Sequence, residues 1–338
     1  MAEVYFYEAF EEEAAALRAC LPAELEAGFT AATVQEAGHA EPPAPVIGIR
    51  TQSALPVAWA PRLRAILSRS TGYDHLLAYR AATGNGDVRL GYLPLYCARA
   101  VAEQAMLLWM ALLRRLPAQQ AALPVFRRDG LTGGECRGRR LVVVGVGHIG
   151  REVVDIGRGL GMEVSGVDLV ERYPDVNYAA PESALPEADV VVCAMNLTEN
   201  NRCYFDERRL RSCRRGAIFV NIARGELTSA AVLLRLLEEG VLGGAGLDVY
   251  GDEGELAVAL RAGGTEVRGG EAAAVLALAR RHDAVLTPHN AFNTAESVRR
   301  KAEQSAEQLA VLRNTGRFQW EAPAPAAPRA GSRRRRRG

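Results

Sequence analysis

Three short segments, NIARG at 221–225, LDVYGDE at 247–253 and TPHNAF at 287–292, place an arginine, a carboxylate and a histidine just after three apolar runs. Reduction of a 2-keto acid uses that set of groups. A planar guanidinium holds the substrate carboxylate through two parallel N–H bonds and polarises the ketone, which a lysine ammonium does less well. The alkoxide left by hydride addition needs a proton near neutral pH, the range of an imidazole, and a neighbouring carboxylate favours the imidazolium. Arg224 is therefore the candidate clamp, His289 the candidate acid/base and Glu253 its candidate partner. Taken singly, each has a plainer reading: Arg224 as a surface arginine after a strand, Glu253 as a solvated loop acid, His289 as a helix-entry histidine beside Pro288. Their joint occurrence in this order points to chemistry.

Such chemistry needs a hydride carrier, and the stretch from Arg139 to Asp168 has the pattern of a site for one. Leu141 to Val144 is a continuous aliphatic run, as in a strand buried on both faces. Gly145, Gly147 and Gly150 then complete G-x-G-x-x-G, removing a Cβ where the chain must turn, approach a pyrophosphate and pack a helix on the strand. The helix that follows, apolar at Ile149, Val153, Val154 and Ile156, would aim its first N–H groups at the phosphates. A second strand, Glu163 to Val167, ends in Asp168, 18 residues past the last glycine, close to the spacing of a carboxylate that binds a ribose 2′-OH. That carboxylate would repel a 2′-phosphate, so the predicted cofactor is NAD, with NADP left open by Arg172 nearby. The predicted cofactor-contacting residues are Gly145, Gly147, His148, Ile149, Gly150, Asp168, Ala223 and Asp248, and no metal is expected.

The elements that must carry these loops alternate strand and helix. Val4 to Tyr7 reads as a strand, Glu8 to Cys20 as a helix with an acidic first half suited to its dipole, and Pro45 to Arg50, Leu63 to Ser68 and Arg89 to Leu93 as further strands. The turn Arg69 to His75 follows the third of these runs, where open α/β sheets place ligands, and reads equally as a ligand loop or as a bare strand-to-helix turn. Ala98 to Leu116 is a long amphipathic helix closed by Pro117 and read as the bridge into the nucleotide domain. Beyond Asp168, strands are expected at Asp189 to Ala194, Gly216 to Asn221, Gly243 to Val249 and Ala284 to Leu286, with helices at Asp206 to Arg211, Thr228 to Glu239, 271–282 and Thr294 to Asn314. The fold class is α/β, a doubly wound parallel-sheet (Rossmann) dinucleotide domain plus a smaller α/β domain.

At 338 residues two domains are the natural expectation, and 49% hydrophobic residues suffice for two cores. With 41 basic and 40 acidic side chains the net charge is +1, so nothing electrostatic argues for nucleic acid or a membrane as the main partner. Six scattered cysteines lack C-x-x-C or metal-ligand spacing, which suggests reduced thiols in a cytoplasm. The acidic start MAEVYFYEAFEEE does not read as a signal peptide, and the apolar run Ala105 to Leu113 is too short to span a bilayer. From Glu321 the composition turns to Pro/Ala and then to Arg333 to Arg337, a tail expected to be disordered over 321–338 and read as a solvated extension, with nucleic-acid contact as the less favoured alternative.

At these residues the sequence resembles the D-isomer-specific 2-hydroxyacid dehydrogenase family, through GVGHIG with Asp168, NIARGE, GLDVYGDE, TPHNAF and AVAEQA at 100–105, over about residues 45 to 312. The resemblance implies Arg224 as the substrate-carboxylate arginine, His289 as acid/base, Glu253 as its partner, and backbone at Thr71 and Gly72 as a receiver of the carboxylate. Leu93 to Tyr96 and Phe292 look like the D-lactate dehydrogenase branch, where Tyr96 and Phe292 would line the pocket for the substrate side chain; ordinary packing aromatics are the alternative. The family further implies a discontinuous flavodoxin-like substrate domain (1–100 with 290–320), a nucleotide domain at 101–289, and a homodimer. Three departures stand out: Asn196 replaces a usual proline, Gly251 a usual acidic residue, and the 36-residue interval from Glu253 to His289 is long enough to displace Glu253, with Asp252 then the fallback. The other functions open to this fold are a dinucleotide-sensing scaffold, as in the C-terminal-binding co-repressors, and oxidation of formate or phosphite.

Overall fold

The computed structural model describes residues 2–84, 86–261 and 270–323, in two compact units: Met1–Pro94 with the chain from Ala302 onward, and Leu95–Lys301. The glycine-rich stretch 262–269 and the run Arg333 to Arg337 lie outside the described residues.

The first unit holds strands β1 (Val4–Phe6), β2 (Ala27–Phe29), β3 (Val46–Ile49), β4 (Ala65–Ser68) and β5 (Arg89–Gly91), and helices α1 (Glu11–Cys20), α2 (Val34–Ala37) and α3 (Asp74–Ala82). The sheet is parallel throughout in the order β2-β1-β3-β4-β5, the flavodoxin-like winding. β3 and β4 are buried at every position, which is why both read as apolar runs, interrupted in β4 only by its last residue, Ser68. The core gathers Tyr7, Ile47, Ile49, Trp59, Ile66 and Leu76.

Two details of this unit differ from the sequence reading. α1 starts at Glu11, because Glu8 takes a left-handed φ of 52° and turns its carboxylate onto the amides of Arg50 (2.9 Å), Gln52 (3.2 Å) and Ser53 (3.1 Å) instead of onto a helix N-terminus. Glu321 and Ala322, expected to belong to a disordered tail, are paired: Glu321 bridges Gly91 antiparallel, and buried Ala322 donates its N–H to Leu90 at 2.8 Å, while 324–338 lie outside the described residues.

In the second unit the elements are α4 (Ala98–Leu113), α5 (Leu116–Ala122), β6 (Arg140–Val144), α6 (His148–Gly159), β7 (Glu163–Val167), α7 (Pro181–Ala184), β8 (Val190–Cys193), α8 (Glu207–Arg211), β9 (Ala217–Asn221), α9 (Ala230–Glu238), β10 (Leu242–Leu247), α10 (Glu253–Arg261), α11 (Gly270–Ala279) and β11 (Ala284–Leu286). The closing helix α12 (Ala295–Thr315) gives its first turns to this unit and the rest to the other. Six parallel strands run β11-β10-β9-β8-β6-β7, and Tyr178 pairs with Gly166 at the outer side of β7. With that bridge counted as a strand cut to one residue, the order is the doubly wound one that opens a crevice beside β6 and β8.

Pro117 does not close α4. A left-handed Arg115 (φ 53°) breaks the chain after Leu113, and Pro117 opens α5 from the first turn, where its missing N–H costs nothing. α10 was not foreseen, and neither was β2. None of the helices in the described residues is long and apolar enough to cross a membrane, and all six cysteines are free thiols.

Candidate active site

The glycine turn after β6 has the shape its spacing requires. Gly145 sits at φ 94°, and a Cβ there would lie 2.5 Å from the Met195 backbone, so only glycine fits. At Gly150 a Cβ would stand 1.9 Å from the Gly145 carbonyl, which is how closely α6 packs on the turn. A Cβ at Gly147, by contrast, meets nothing within 4 Å. The cradle is open at that residue, which caps α6, and the first turn of α6 carries no acidic side chain to repel an anion. His148 and Ile149 begin the helix, His148 exposed and Ile149 half-buried. Exposed Asp168, at the end of β7, accepts the Val146 amide at 2.6 Å and the Val170 amide at 3.1 Å. Its remaining lone pairs are available to a ribose diol, so the residues present fit NAD.

Arg224 is set by the end of β9. Buried Asn221 donates its side-chain N–H to the Arg224 carbonyl (2.9 Å) and accepts the Ala223 amide (3.0 Å), fixing the bend that turns Arg224 out of the sheet. The half-buried Arg224 side chain donates one N–H to the Ala223 carbonyl at 2.9 Å. The next residue, Gly225, lies so near the Tyr250–Gly251 peptide that a Cβ would come within 1.8 Å of the Tyr250 carbonyl carbon. The arginine loop and the carboxylate loop therefore touch through backbone, and any side chain at 225 would part them.

His289 follows β11 with a left-handed φ of 50°. Its Nδ1 stands 2.8 Å and 2.9 Å from the two Glu253 oxygens. A carboxylate only accepts, so Nδ1 carries the hydrogen and Nε2 is the atom left to exchange a proton. The long interval does not displace Glu253. That residue is set by the turn directly after β10, and β10 pairs with β11, so the extra residues leave as α10 and α11 downstream. They are tied down elsewhere: Glu271 of α11 accepts the Ala230 amide at 2.6 Å and the Ser229 hydroxyl, at the start of α9. Asp252, the fallback, takes a left-handed φ of 53° and is exposed.

Asp248, predicted above as a cofactor contact, turns its carboxylate to the histidine loop. It accepts the Thr287 hydroxyl at 2.5 Å and the Asn290 and Ala291 amides at 2.9 and 3.0 Å. Burial pushes this carboxyl up, and the Thr287 hydroxyl, the two amides and the nearby His289 pull it back. The Tyr250 hydroxyl, whose pKa is raised by burial and by the negative charges of Asp248 and Glu253, donates to the Thr287 carbonyl at 2.7 Å. Gln104 of α4 reaches the Thr287 hydroxyl at 3.3 Å. Sequence reasoning found neither this brace nor the clamp by Asn221; the available signal was an Asn or Asp as the last or next residue of a buried strand, where side-chain-to-backbone turns form.

Tyr96 and Phe292 both pack on Lys301, whose ammonium lies 5.6 Å and 4.8 Å from their ring centres while only 1% exposed. Arg300 and Ser297 hold the Tyr96 carbonyl at 2.8 and 3.3 Å, and the Phe292 ring meets His289 edge-on at 6.5 Å. The structure thus brings Arg224, Glu253, His289 and Asp248 onto neighbouring loops of one unit. Thr71 and Gly72 belong to the other.

Residues 106–291 match the D-isomer specific 2-hydroxyacid dehydrogenase, NAD binding domain, family. A glyoxylate reductase of Thermococcus kodakarensis is 33% identical over 57% of this chain and 62% of its own length, so the chain spans less than two thirds of that relative. A D-lactate dehydrogenase of Leuconostoc mesenteroides is 30% identical over 70% of this chain and 72% of its own. The solved D-lactate dehydrogenase of Aquifex aeolicus, complexed with NAD and lactic acid, superposes with a TM-score of 0.81 over 95% of this chain and 100% of that one, at 24% identity, a likeness of fold.

Proposed function

Since the chain belongs to the D-isomer-specific 2-hydroxyacid dehydrogenase family and carries its NAD-binding domain, we propose that it interconverts a small 2-keto acid and its D-2-hydroxy acid. The observation that carries this reading is the His289–Glu253 pair at 2.8 Å, beside an arginine held on the adjoining loop. Bound NADH would supply the hydride. Arg224 would hold the substrate carboxylate and polarise the ketone, and in the other unit the Thr71 and Gly72 backbone would offer a receiver for a carboxylate. Nε2 of His289 would pass a proton to the forming alkoxide, Glu253 would hold the ring in the one useful tautomer, and Tyr96 and Phe292 would form the wall for the substrate side chain.

Glyoxylate and pyruvate, the 2-oxo acids behind the names of the relatives, differ by one methyl, so the assay starts from acids of that size. NADH oxidation across 2-keto acids of rising chain length, with chiral resolution of the product, tests the reading. Turnover highest with the shortest acids is expected, with a D product from pyruvate and longer acids, whose products are chiral; NADH binding without oxidation of any keto acid would replace it with the scaffold reading.

The same unit leaves Leu123, Val125 and Phe126 exposed at 68, 75 and 76% after α5, a run of apolar surface unusual for a lone protomer. This face would be the contact of a homodimer, and the six free thiols suit the cytoplasm. Phe126→Asp is expected to shift the mass measured by light scattering from dimer to monomer; an unchanged dimer would move the interface elsewhere.

A further inference from the structure

The turn after β4 carries a hydrogen-bond chain whose direction can be deduced. Ser70 Oγ lies 2.7 Å from the Gly72 carbonyl, Ser68 Oγ lies 2.7 Å from Ser70 Oγ, and His75 Nε2 lies 2.7 Å from Ser68 Oγ. A carbonyl only accepts, so the single Ser70 proton goes to Gly72. The Ser68 proton must then go to Ser70, and the remaining bond requires a hydrogen on His75 Nε2. The chain runs one way, from imidazole N–H through two hydroxyls to a peptide carbonyl, and bonds in such a series polarise one another.

We propose that His75, Ser68 and Ser70 are positioning residues that fix the Thr71–Gly72 turn for an anionic ligand, the substrate carboxylate. The inference rests on the reading of that turn given above and adds the groups that set it. Ser68 and Ser70 are 0 and 7% exposed, so water does not replace a missing member. The backbone before the turn is pinned: the Arg69 amide donates to Ile49 at 2.7 Å, the Ser70 carbonyl accepts from Leu93 at 3.1 Å, and the buried Arg69 side chain pairs with Glu13 and the Tyr7 carbonyl. Past Ser70 the hydroxyl bond to Gly72 takes over. It turns the Gly72 carbonyl inward, while the Gly72 N–H meets no acceptor among the described residues.

The test uses the full-length protein with Ser70→Ala, Ser70→Thr, His75→Ala and His75→Gln, where threonine keeps the hydroxyl and glutamine keeps an N–H donor. Steady-state kinetics and amide hydrogen exchange of the 70–77 segment are read together. Ser70→Ala and His75→Ala are expected to raise KM for the keto acid about tenfold with kcat within about twofold, the pattern of lost uniform binding. They should also speed exchange at Leu76 and Leu77, whose amides donate to the Tyr73 carbonyl at the end of the turn, and the threonine and glutamine variants should restore both. Unchanged KM in Ser70→Ala, or equal losses in Ser70→Ala and Ser70→Thr, would overturn the proposal. If the wild type reduces no 2-keto acid, the functional reading falls by itself, and exchange decides the relay: acceleration confined to Leu76 and Leu77 supports it and unaltered exchange refutes it.

Discussion

Replacing His289 with alanine is expected to lower kcat for 2-keto acid reduction by roughly 10²–10⁴-fold, the range of a lost general acid, while NADH affinity stays within about twofold. The selectivity follows from placement. Both Glu253 oxygens face Nδ1, so the Glu253 contact uses none of Nε2, and that nitrogen is the one available to a substrate oxygen. The imidazole makes no bond to the glycine turn after β6, whose contacts run to Met195, Val167 and Asp168. Glu253→Gln should cost less than the alanine change at 289, since the amide oxygen still accepts from Nδ1 but brings no charge to favour the imidazolium. Rapid-mixing turnover and fluorescence titration of NADH on the two variants separate these terms. A kcat within about threefold of wild type for His289→Ala would remove the histidine from the chemistry.

The sequence exposed the parts of this site that depend on strand ends, because a buried parallel strand leaves a plain signature and its carboxyl end is where the chain can reach a ligand. Leu141 to Val144, Glu163 to Val167 and Ala284 to Leu286 appear in the structure as strands within one residue of where the pattern put them. Loop geometry was less legible. The Glu253–His289 contact spans 36 residues, and no local pattern tells whether an insertion bows outward or pushes its ends apart; the β10–β11 pairing and the Glu271 contacts at α9 decide it. The Tyr178 strand is reduced to a single bridge, too short to show periodicity. At Pro117 the same residue that ends one helix pattern begins another helix, and the left-handed Arg115 between them has no composition signal.

The relay on β4 and the brace under His289 share a physical feature that sequence does not display. In each, a buried polar side chain at a strand end helps to hold a loop: Asp248 accepts amides of the loop after the neighbouring strand β11, and Ser68 acts on its own loop through the Ser70 hydroxyl. Polar residues inside an apolar run are costly unless satisfied, and here the satisfaction is what fixes a loop. Ser68 and Asp248 look like minor interruptions in the sequence, whereas Arg224 and His289 stand out by residue type.

Asp248 gives the second large effect. Changing it to alanine strands the Thr287 hydroxyl and the Asn290 and Ala291 amides in a site 1% exposed, a loss of about 3–5 kcal/mol for several buried donors, or a fall of roughly 10 °C in the unfolding midpoint. The functional loss should be larger than stability alone explains. Without the carboxylate, the β10 side still holds Thr287, through the Leu247 carbonyl and the Tyr250 hydroxyl, but the Asn290 and Ala291 amides just past the left-handed His289 lose their acceptor, and an ångström of drift at the ring is worth about 10²-fold in rate. Asp248→Asn, which keeps the volume and one acceptor, should lose about half as much stability. Differential scanning calorimetry with kcat/KM measured well below the melting temperature distinguishes brace from bystander: a lowered midpoint with kcat/KM within about threefold would mean that the loop holds His289 without Asp248. NADH titration of the same variants decides the role first read from the sequence, since an Asp248→Asn protein that binds NADH as wild type does would leave the carboxylate as a positioning group alone.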